Sequence, residues 1–426
     1  MKRTNLKLFG LMLLLPLTFA ACGVKDYKTA SVDLMKKVNA SELGETGRVP
    51  SSNVRAGIAY FTVELLKSSM KNEGNLMISP ASIYFALGMT LNGAEGETKA
   101  EMIKMLNGER IDPEILNIAS LDWKNLLSEV GDKTTLEVSN AIWFDKNFVP
   151  NQPFLQRNAD YYGAEARKVD FKDTDAKDII NSWVKDTTHG TIEEIVDKID
   201  DNEVMFIINT VYFKSDWQVP FEKNKTMNRA FMAPSGSVDV PFLHRTGNIV
   251  TFSYNDATGV ALPYDEGQLS YFALMPDNGV TPRDWLEKQE SNELLSHIAG
   301  SVRKAESELI DLAMPKFELR YEDSLKDDLE NLGMKLAFDP ENADFSAMNA
   351  AHEKNLYITD VKHKTFIKVD EKGTEASAAT SVEVGTTSLP MPNKEVTFDK
   401  PFVYGIVEMK TGLPVFLGIM ENPESK

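Results

Sequence analysis

The chain has 426 residues, 64 acidic against 46 basic side chains, a formal charge of −18 at pH 7 and one cysteine, Cys22. Phosphate recognition needs clustered Lys and Arg, so nucleic acid is not an expected partner. A lone Cys excludes internal disulfides, and spending it elsewhere excludes thiol catalysis and thiolate metal sites. An apolar content of 42% and an aromatic content of 9% are enough for a sizeable core.

Lys2, Arg3 and Lys7 precede an apolar run at 8–19 that is too short to span a bilayer as a mature helix. Residues 1–21 read as an export signal. Phe19, Ala20 and Ala21 before Cys22 resemble a bacterial lipoprotein cleavage site, although Leu is more usual where Phe19 stands. Cys22 would then be the acylated first residue. The membrane becomes a partner through that lipid, and the expected location is the bacterial outer membrane or cell surface. The alternative is a plain secretory signal with a coincidental Cys and a secreted or periplasmic protein. Residues 22–50 are polar, with scattered Gly, Ser and Lys, and read as a flexible tether. Residues 51–426 read as one domain.

Within the domain, Val54, Ile58, Phe61 and Leu65 recur at helical spacing, and Ser51 or Ser52 can cap a helix over 51–67. Ser79 followed by Pro80 is a helix opening, a capping hydroxyl and then a residue that needs no amide donor. Further helices are expected at 97–106, 153–162 and 176–188, with a strand at 135–144. From 204 the character changes. The nearly continuous apolar run at 204–213 suits a central strand buried on both faces. Strands are expected at 238–242, 249–254, 258–263 and 269–275, helices near 282–299 and 323–332, and strands at 356–370, 402–409 and 415–418. Helices early and strands late make an α+β architecture.

Two stretches near the end carry the functional signal. Over 356–370, Val361, His363, Thr365, Ile367 and Val369 share one strand face, while Lys362, Lys364 and Lys368 share the other with Phe366. After Gly373 the parity reverses. Thr374, Ala376, Ala378, Thr380, Val382 and Val384 form a wholly uncharged face, and Glu375 and Glu383 fall on the opposite one. A turn at 371–373, with Gly373 allowing unusual dihedrals, would fold the following segment back as an antiparallel neighbour. The segment therefore reads as a loop in one state and a half-buried strand in another; an ordinary polar surface strand is the plainer alternative.

Other constellations are weak. His363 on an apolar strand face reads first as a satisfied core histidine. His189, His244, His297 and His352 have no metal spacing, and no cofactor fingerprint appears. No Gly-x-Ser-x-Gly nucleophile motif supports a hydrolase.

In order along the chain, residues 75–83 with Ser79, Pro80 and Ser82, 91–98, 140–143, 161–165, 180–184, 209–217 with Asn209, Lys214 and Trp217, 372–380 and 398–402 resemble the motifs of the serpin family. The resemblance covers nearly all of 51–426; Ser215 and Asp216 depart from the family's usual Gly near Trp217. It implies three β-sheets, eight or nine helices, an exposed reactive-centre loop, and a monomeric suicide inhibitor of proteases rather than an enzyme, with no cofactor. Glu371, Gly373, Thr374, Glu375, Ala376, Ala378 and Thr380 match the hinge of inhibitory members. Ser79, Ser82, Asn209 and His363 match a buried polar cluster below the place where the main sheet opens. Lys214 and Trp217 match the top of that opening. The partner would be a serine protease held as a covalent acyl-enzyme. A noninhibitory binding or chaperone-like role on the same fold is the alternative.

Family spacing puts the reactive bond between Thr387 and Ser388, and chemistry leaves the bonds within 384–388 open. Leu389 and Met391 each precede a Pro, which most serine proteases accept poorly after the cleaved bond. No Lys or Arg occurs from Gly373 to Asn393. Small and β-branched residues suit a shallow pocket, which favours elastase-like serine proteases, with cysteine proteases a further possibility.

Overall fold

Local chemistry sets the helices. The structure, a computed structural model, describes residues 26–424 except 45, 202, 278, 305, 375–391 and 393. Its α-helices are α1 (Tyr27–Ala30), α2 (Ser52–Ser69), α3 (Pro80–Leu91), α4 (Gly96–Asn107), α5 (Pro113–Ser128), α6 (Gln152–Tyr162), α7 (Ala176–Thr187), α8 (Pro282–Glu287), α9 (Leu294–Lys304) and α10 (Lys326–Asn331). Ser51 caps α2, and Ser79 caps α3 with its hydroxyl accepting from the Ser82 amide at 3.4 Å. Gly163 ends α6 in a left-handed conformation, φ +59°, which costs a glycine little. The helix expected over 282–299 is two, because 288–293 breaks it, and α5 had no counterpart in the sequence reading. With the single turn α1, the described residues hold ten helices rather than eight or nine.

The strands are β1 (Val32–Asp33), β2 (Leu76–Ile78), β3 (Thr134–Asp145), β4 (Glu165–Val169), β5 (Met205–Asp216), β6 (Met227–Ala233), β7 (Gly236–Ser253), β8 (Ala257–Pro263), β9 (Leu269–Pro276), β10 (Ser307–Pro315), β11 (Phe317–Ser324), β12 (Lys362–Val369), β13 (Gly373–Thr374), β14 (Lys394–Thr397), β15 (Phe402–Glu408) and β16 (Pro414–Met420). The first sheet runs β1-β4-β3-β5-β13-β12-β11, and the second β14-β10-β7-β8-β9-β15-β16-β2 with β6 on β7. The architecture is the expected α+β. The expected third sheet is continuous with the second. The long β7 pairs β6 and β10 along most of its length and β8 over its last residues. That strand also merges the separate strands expected at 238–242 and 249–254.

β5 and β3 pair antiparallel from Thr134 opposite Ser215 to Phe144 opposite Met205. They form the long axis of the first sheet. α3 packs beneath β5, and its fully buried Phe85 lies against Trp123 of α5, ring centroids 5.2 Å apart. This core holds the sheet from below and leaves its upper face to α7 and the connector that follows.

The segment expected as a free tether is docked where it is described. Val32 pairs with Lys168 and Asp33 with Arg167, adding β1 to the edge of the first sheet. Tyr27 is 6% exposed; its ring meets Trp143 edge-on and its hydroxyl donates to Asp186 at 3.0 Å. One aromatic with a polar tip among polar neighbours is a weak signal, so the anchor is not legible in the residue pattern. Tyr27→Ala removes it, at about 1.5–3 kcal/mol for the lost burial. Limited proteolysis should then cut within 26–50 at protease levels that spare the parent.

Candidate functional site: a slot in the first sheet

β13 is two residues long and sits between two much longer strands. Gly373 and Thr374 pair with Asp216 and Ser215 of β5, and Thr374 also pairs with Val369 of β12. Below Thr374, β5 pairs only with β3 and β12 only with β11 among the described residues. Among the described residues, the facing edges of β5 and β12 have no pairing partner below Thr374, and such edges are a template for a further strand.

The expected turn is present: the Asp370 amide donates to the Gly373 carbonyl at 2.9 Å, and the chain reverses. The expected reason is different. Gly373 is not among the positive-φ residues. Glycine is needed there for space, since a Cβ would lie 1.9 Å from the Ser215 carbonyl oxygen.

The top of the slot is built around Trp217. Its Nε1 donates to the Asp370 carbonyl at 2.9 Å, and its amide donates to the Lys372 carbonyl at 2.7 Å. Its ring stacks on Tyr264 at 4.5 Å, and the Tyr264 hydroxyl shares a 2.5 Å hydrogen bond with the Thr374 hydroxyl. Burial holds the Tyr264 hydroxyl protonated, with its pKa raised. Glu371 accepts from Lys316 at 2.8 Å and from Thr226 at 3.0 Å. Burial opposes charge on that carboxyl, but the ammonium and the hydrogen bonds outweigh it and lower its pKa. Lys372 pairs with Asp216 at 3.3 Å. Lys214 stands on β5 beside Ser215, opposite Thr135. Tyr264, Thr226 and Lys316 escaped the sequence reading, because their partnership with the hinge is purely spatial.

Lower down, the expected polar cluster divides in two. The Ser79 amide donates to Nε2 of His363 at 3.0 Å, and the Ser79 hydroxyl donates to the Val415 carbonyl at 3.0 Å. Ser82 joins through its amide. Asn209 lies on the other side of the slot, donating to Asn140 at 2.7 Å, and Asn140 donates to the Tyr162 carbonyl at 2.8 Å. Both halves are buried, and no hydrogen bond joins Asn209 to His363. Oδ1 of Asn209 has no partner among the described residues.

A connector, 188–204, crosses from α7 to β5 and is fastened to the far side of the slot. Asp197 pairs with Lys362 and Lys364 of β12, and Arg320 of β11 donates to the Thr191 carbonyl. Cys22, Glu375, Ala376, Ala378, Thr380, Thr387 and Ser388 lie outside the described residues. Among the described residues there is no cluster of metal-ligating side chains, and no helix is long and apolar enough to cross a membrane.

Residues 56–423 match the family described as Serpin (serine protease inhibitor). A serpin-like protein of Thermococcus kodakarensis is 35% identical over 86% of this chain and 85% of its own. The human leukocyte elastase inhibitor is 30% identical over 88% of this chain and 100% of its own. Among solved structures, the thermophilic serpin tengpin in its native state superposes with a TM-score of 0.83 at 34% identity, covering 92% of this chain and 99% of that one. In its latent state the same protein gives 0.77. The chain belongs to the serpin family, a family of serine protease inhibitors.

Burial pushes the His363 pKa down to about 3. The imidazole is neutral and its Nε2 accepts. In the unfolded chain it titrates near about 6.5. Between these values the unfolded state binds one proton more, so stability is lost as pH falls from about 6.5 toward about 3. His363→Gln keeps an acceptor and removes the titration. Denaturant unfolding from pH 6 to pH 4 should show the parent losing up to about 1.4 kcal/mol per pH unit more than the variant.

Proposed function

We propose that this chain is an inhibitory serpin that traps a serine protease, of elastase-like specificity, as a covalent acyl-enzyme. The observation that carries the reading is β13: Gly373 and Thr374 of the hinge are seated between β5 and β12, which below that point have no pairing with each other among the described residues. Continuing the register places residues 376, 378, 380 and 382 opposite Phe213, Val211, Asn209 and Ile207 of β5. On β12 the same rule sets Thr380 opposite His363. The uncharged face of the loop then meets the buried face of the sheet, and the Thr380 hydroxyl enters between the two halves of the divided polar cluster. Charge on that face would have to be desolvated unpaired, at a cost of several kcal/mol, roughly 2–7 even for an uncharged polar group.

The chemistry belongs to the protease until the bond is cut. Its serine oxygen attacks the carbonyl carbon of the reactive bond, Thr387–Ser388 or a neighbour within 384–388. The C–N bond breaks, the amine takes a proton from the protease's general acid, and an ester remains. The freed strand then enters the slot with the protease attached. Roughly a dozen residues at about 3.3 Å each reach about 40 Å, the length of a long sheet. Inhibition requires that entry outrun hydrolysis of the ester. The elastase preference rests on the small side chains at 384–388 and on the likeness to the leukocyte elastase inhibitor.

We further propose export and acylation of Cys22, on the basic start, the apolar run and the small residues before it. The docked segment starts at Asp26, so at most about 15 Å of chain separates it from that lipid. Cys22→Ser should move the protein from the detergent phase to the aqueous phase.

The decisive assay is incubation with neutrophil elastase followed by denaturing electrophoresis. A complex that survives denaturation is expected. Thr374→Arg puts a charge against Tyr264 at the slot's mouth, and should yield cleaved protein with complex reduced at least tenfold. Complex formation at the parental level in that variant contradicts the trapping mechanism.

A further inference from the structure

The arm 26–41 runs along the outer edge of the first sheet, where β1 is the last strand among the described residues. Its charge runs against that of the chain. Residues 23–41 hold four Lys, at 25, 28, 36 and 37, against Asp26 and Asp33, in a protein of formal charge −18. Lys36 and Lys37 are exposed in the single turn Met35–Lys37 that follows β1, and neither makes an ion pair among the described residues. Two more cations without an ion pair among the described residues flank them. Lys168 stands opposite Val32 in the pairing of β1 with β4, and the exposed Arg157 follows Gln156, whose side-chain amide donates to the Asn39 carbonyl at 2.8 Å. Val32 is 63% exposed, an apolar side chain that the fold leaves uncovered. The acids nearby are engaged: Asp33 accepts from the Met35 amide at 2.8 Å, Asp160 from the Ser41 amide at 2.6 Å, and Glu165 pairs with Arg167 at 2.9 Å.

Cations beside an uncovered apolar side chain fit a surface of fixed negative charge. The start of the chain says which surface. Resting on the acylation of Cys22 proposed above, a lipid would be separated from Asp26 by at most about 15 Å of chain, which holds this edge within reach of the headgroups. A lipid sets the distance to the bilayer but leaves the protein free to swivel. A basic patch fixes the face presented, because each Lys near an anionic leaflet is attracted to it. We propose that the arm 26–41, with Lys168 and Arg157, is a membrane-facing surface that lays Lys36 and Lys37 against the phosphates of an anionic phospholipid bilayer and Val32 against the headgroup boundary. The same docking orients the inhibitor. β4 and β3 stand between β1 and β5. Strand spacings of about 4.8 Å then hold the slot about 14 Å clear of the membrane, open to a protease in solution.

The test titrates the Cys22→Ser chain, at low salt, with vesicles of phosphatidylcholine alone and of an equal mixture with phosphatidylglycerol, read by co-sedimentation. Binding to the mixed vesicles should be tighter by about tenfold or more, and Lys36→Glu combined with Lys37→Glu should remove that advantage. Lys288→Glu with Lys304→Glu makes the same change of net charge beside α8 and at the end of α9, and should leave it within about threefold of the parent. All four side chains are exposed, so both double variants should melt as the parent does. Equal binding to the two kinds of vesicle, or equal losses from the two double variants, overturns the surface. Without vesicles, sedimentation velocity should show a monomer; a dimer that Val32→Asp dissociates assigns the edge to a second copy of the chain and overturns it too. Should the Cys22→Ser chain stay in the detergent phase, the acylation reading fails, and the comparison of the two double variants still decides the surface.

Discussion

Among the described residues, two long strands, β5 and β12, face each other across the first sheet without pairing to one another, and the hinge enters between them. Unpaired edges in a sheet are usually covered, twisted or charged, because they invite another strand. Here Gly373 and Thr374 are the described residues that join the two strands, at the top. The connector 188–204 is fastened to β11 and β12 by Arg320 and Asp197, so it lies across the opening. A full-length strand in that place would complete two ladders and bury an uncharged face.

The two ends of the vacancy are controlled differently. At the top, an aromatic stack, a buried carboxylate with its ammonium, and a glycine pressed against a carbonyl locate the hinge tightly. Further down, the polar groups are left in two halves, Ser79 with His363 and Asn140 with Asn209, with one acceptor unmet. Partly satisfied buried polar groups are costly, and at this position the cost falls where an entering hydroxyl would relieve it.

Much of this was legible from residue order. Ser79 and Pro80 announced α3, the apolar run at 204–213 announced β5, and the parity break at 371–373 announced a reversal onto a neighbouring strand. What the sequence could not carry was spatial partnership. Lys316, Thr226 and Tyr264 are remote in sequence from the hinge and bear no motif. Gly373 was expected for its dihedral freedom and is required for its missing side chain, a distinction that only the position of Ser215 reveals. Tyr27 stands in a polar stretch and bears no motif, because its pocket is assembled from Trp143 of β3 and Asp186 of α7. Strand merging in β7 is hidden for a related reason: pairing with β10 over 242–250 carries it through residues whose local preferences read as a break.

The central claim is that the slot between β5 and β12 accepts the chain's own freed segment. Calorimetric melting of the protein before and after a single cut within 384–388 addresses it most directly. Insertion predicts a rise in melting temperature of tens of degrees, together with new amide protection along 205–214 and 362–368. An unshifted melt, with those amides exchanging as they do in the uncut protein, would contradict the account.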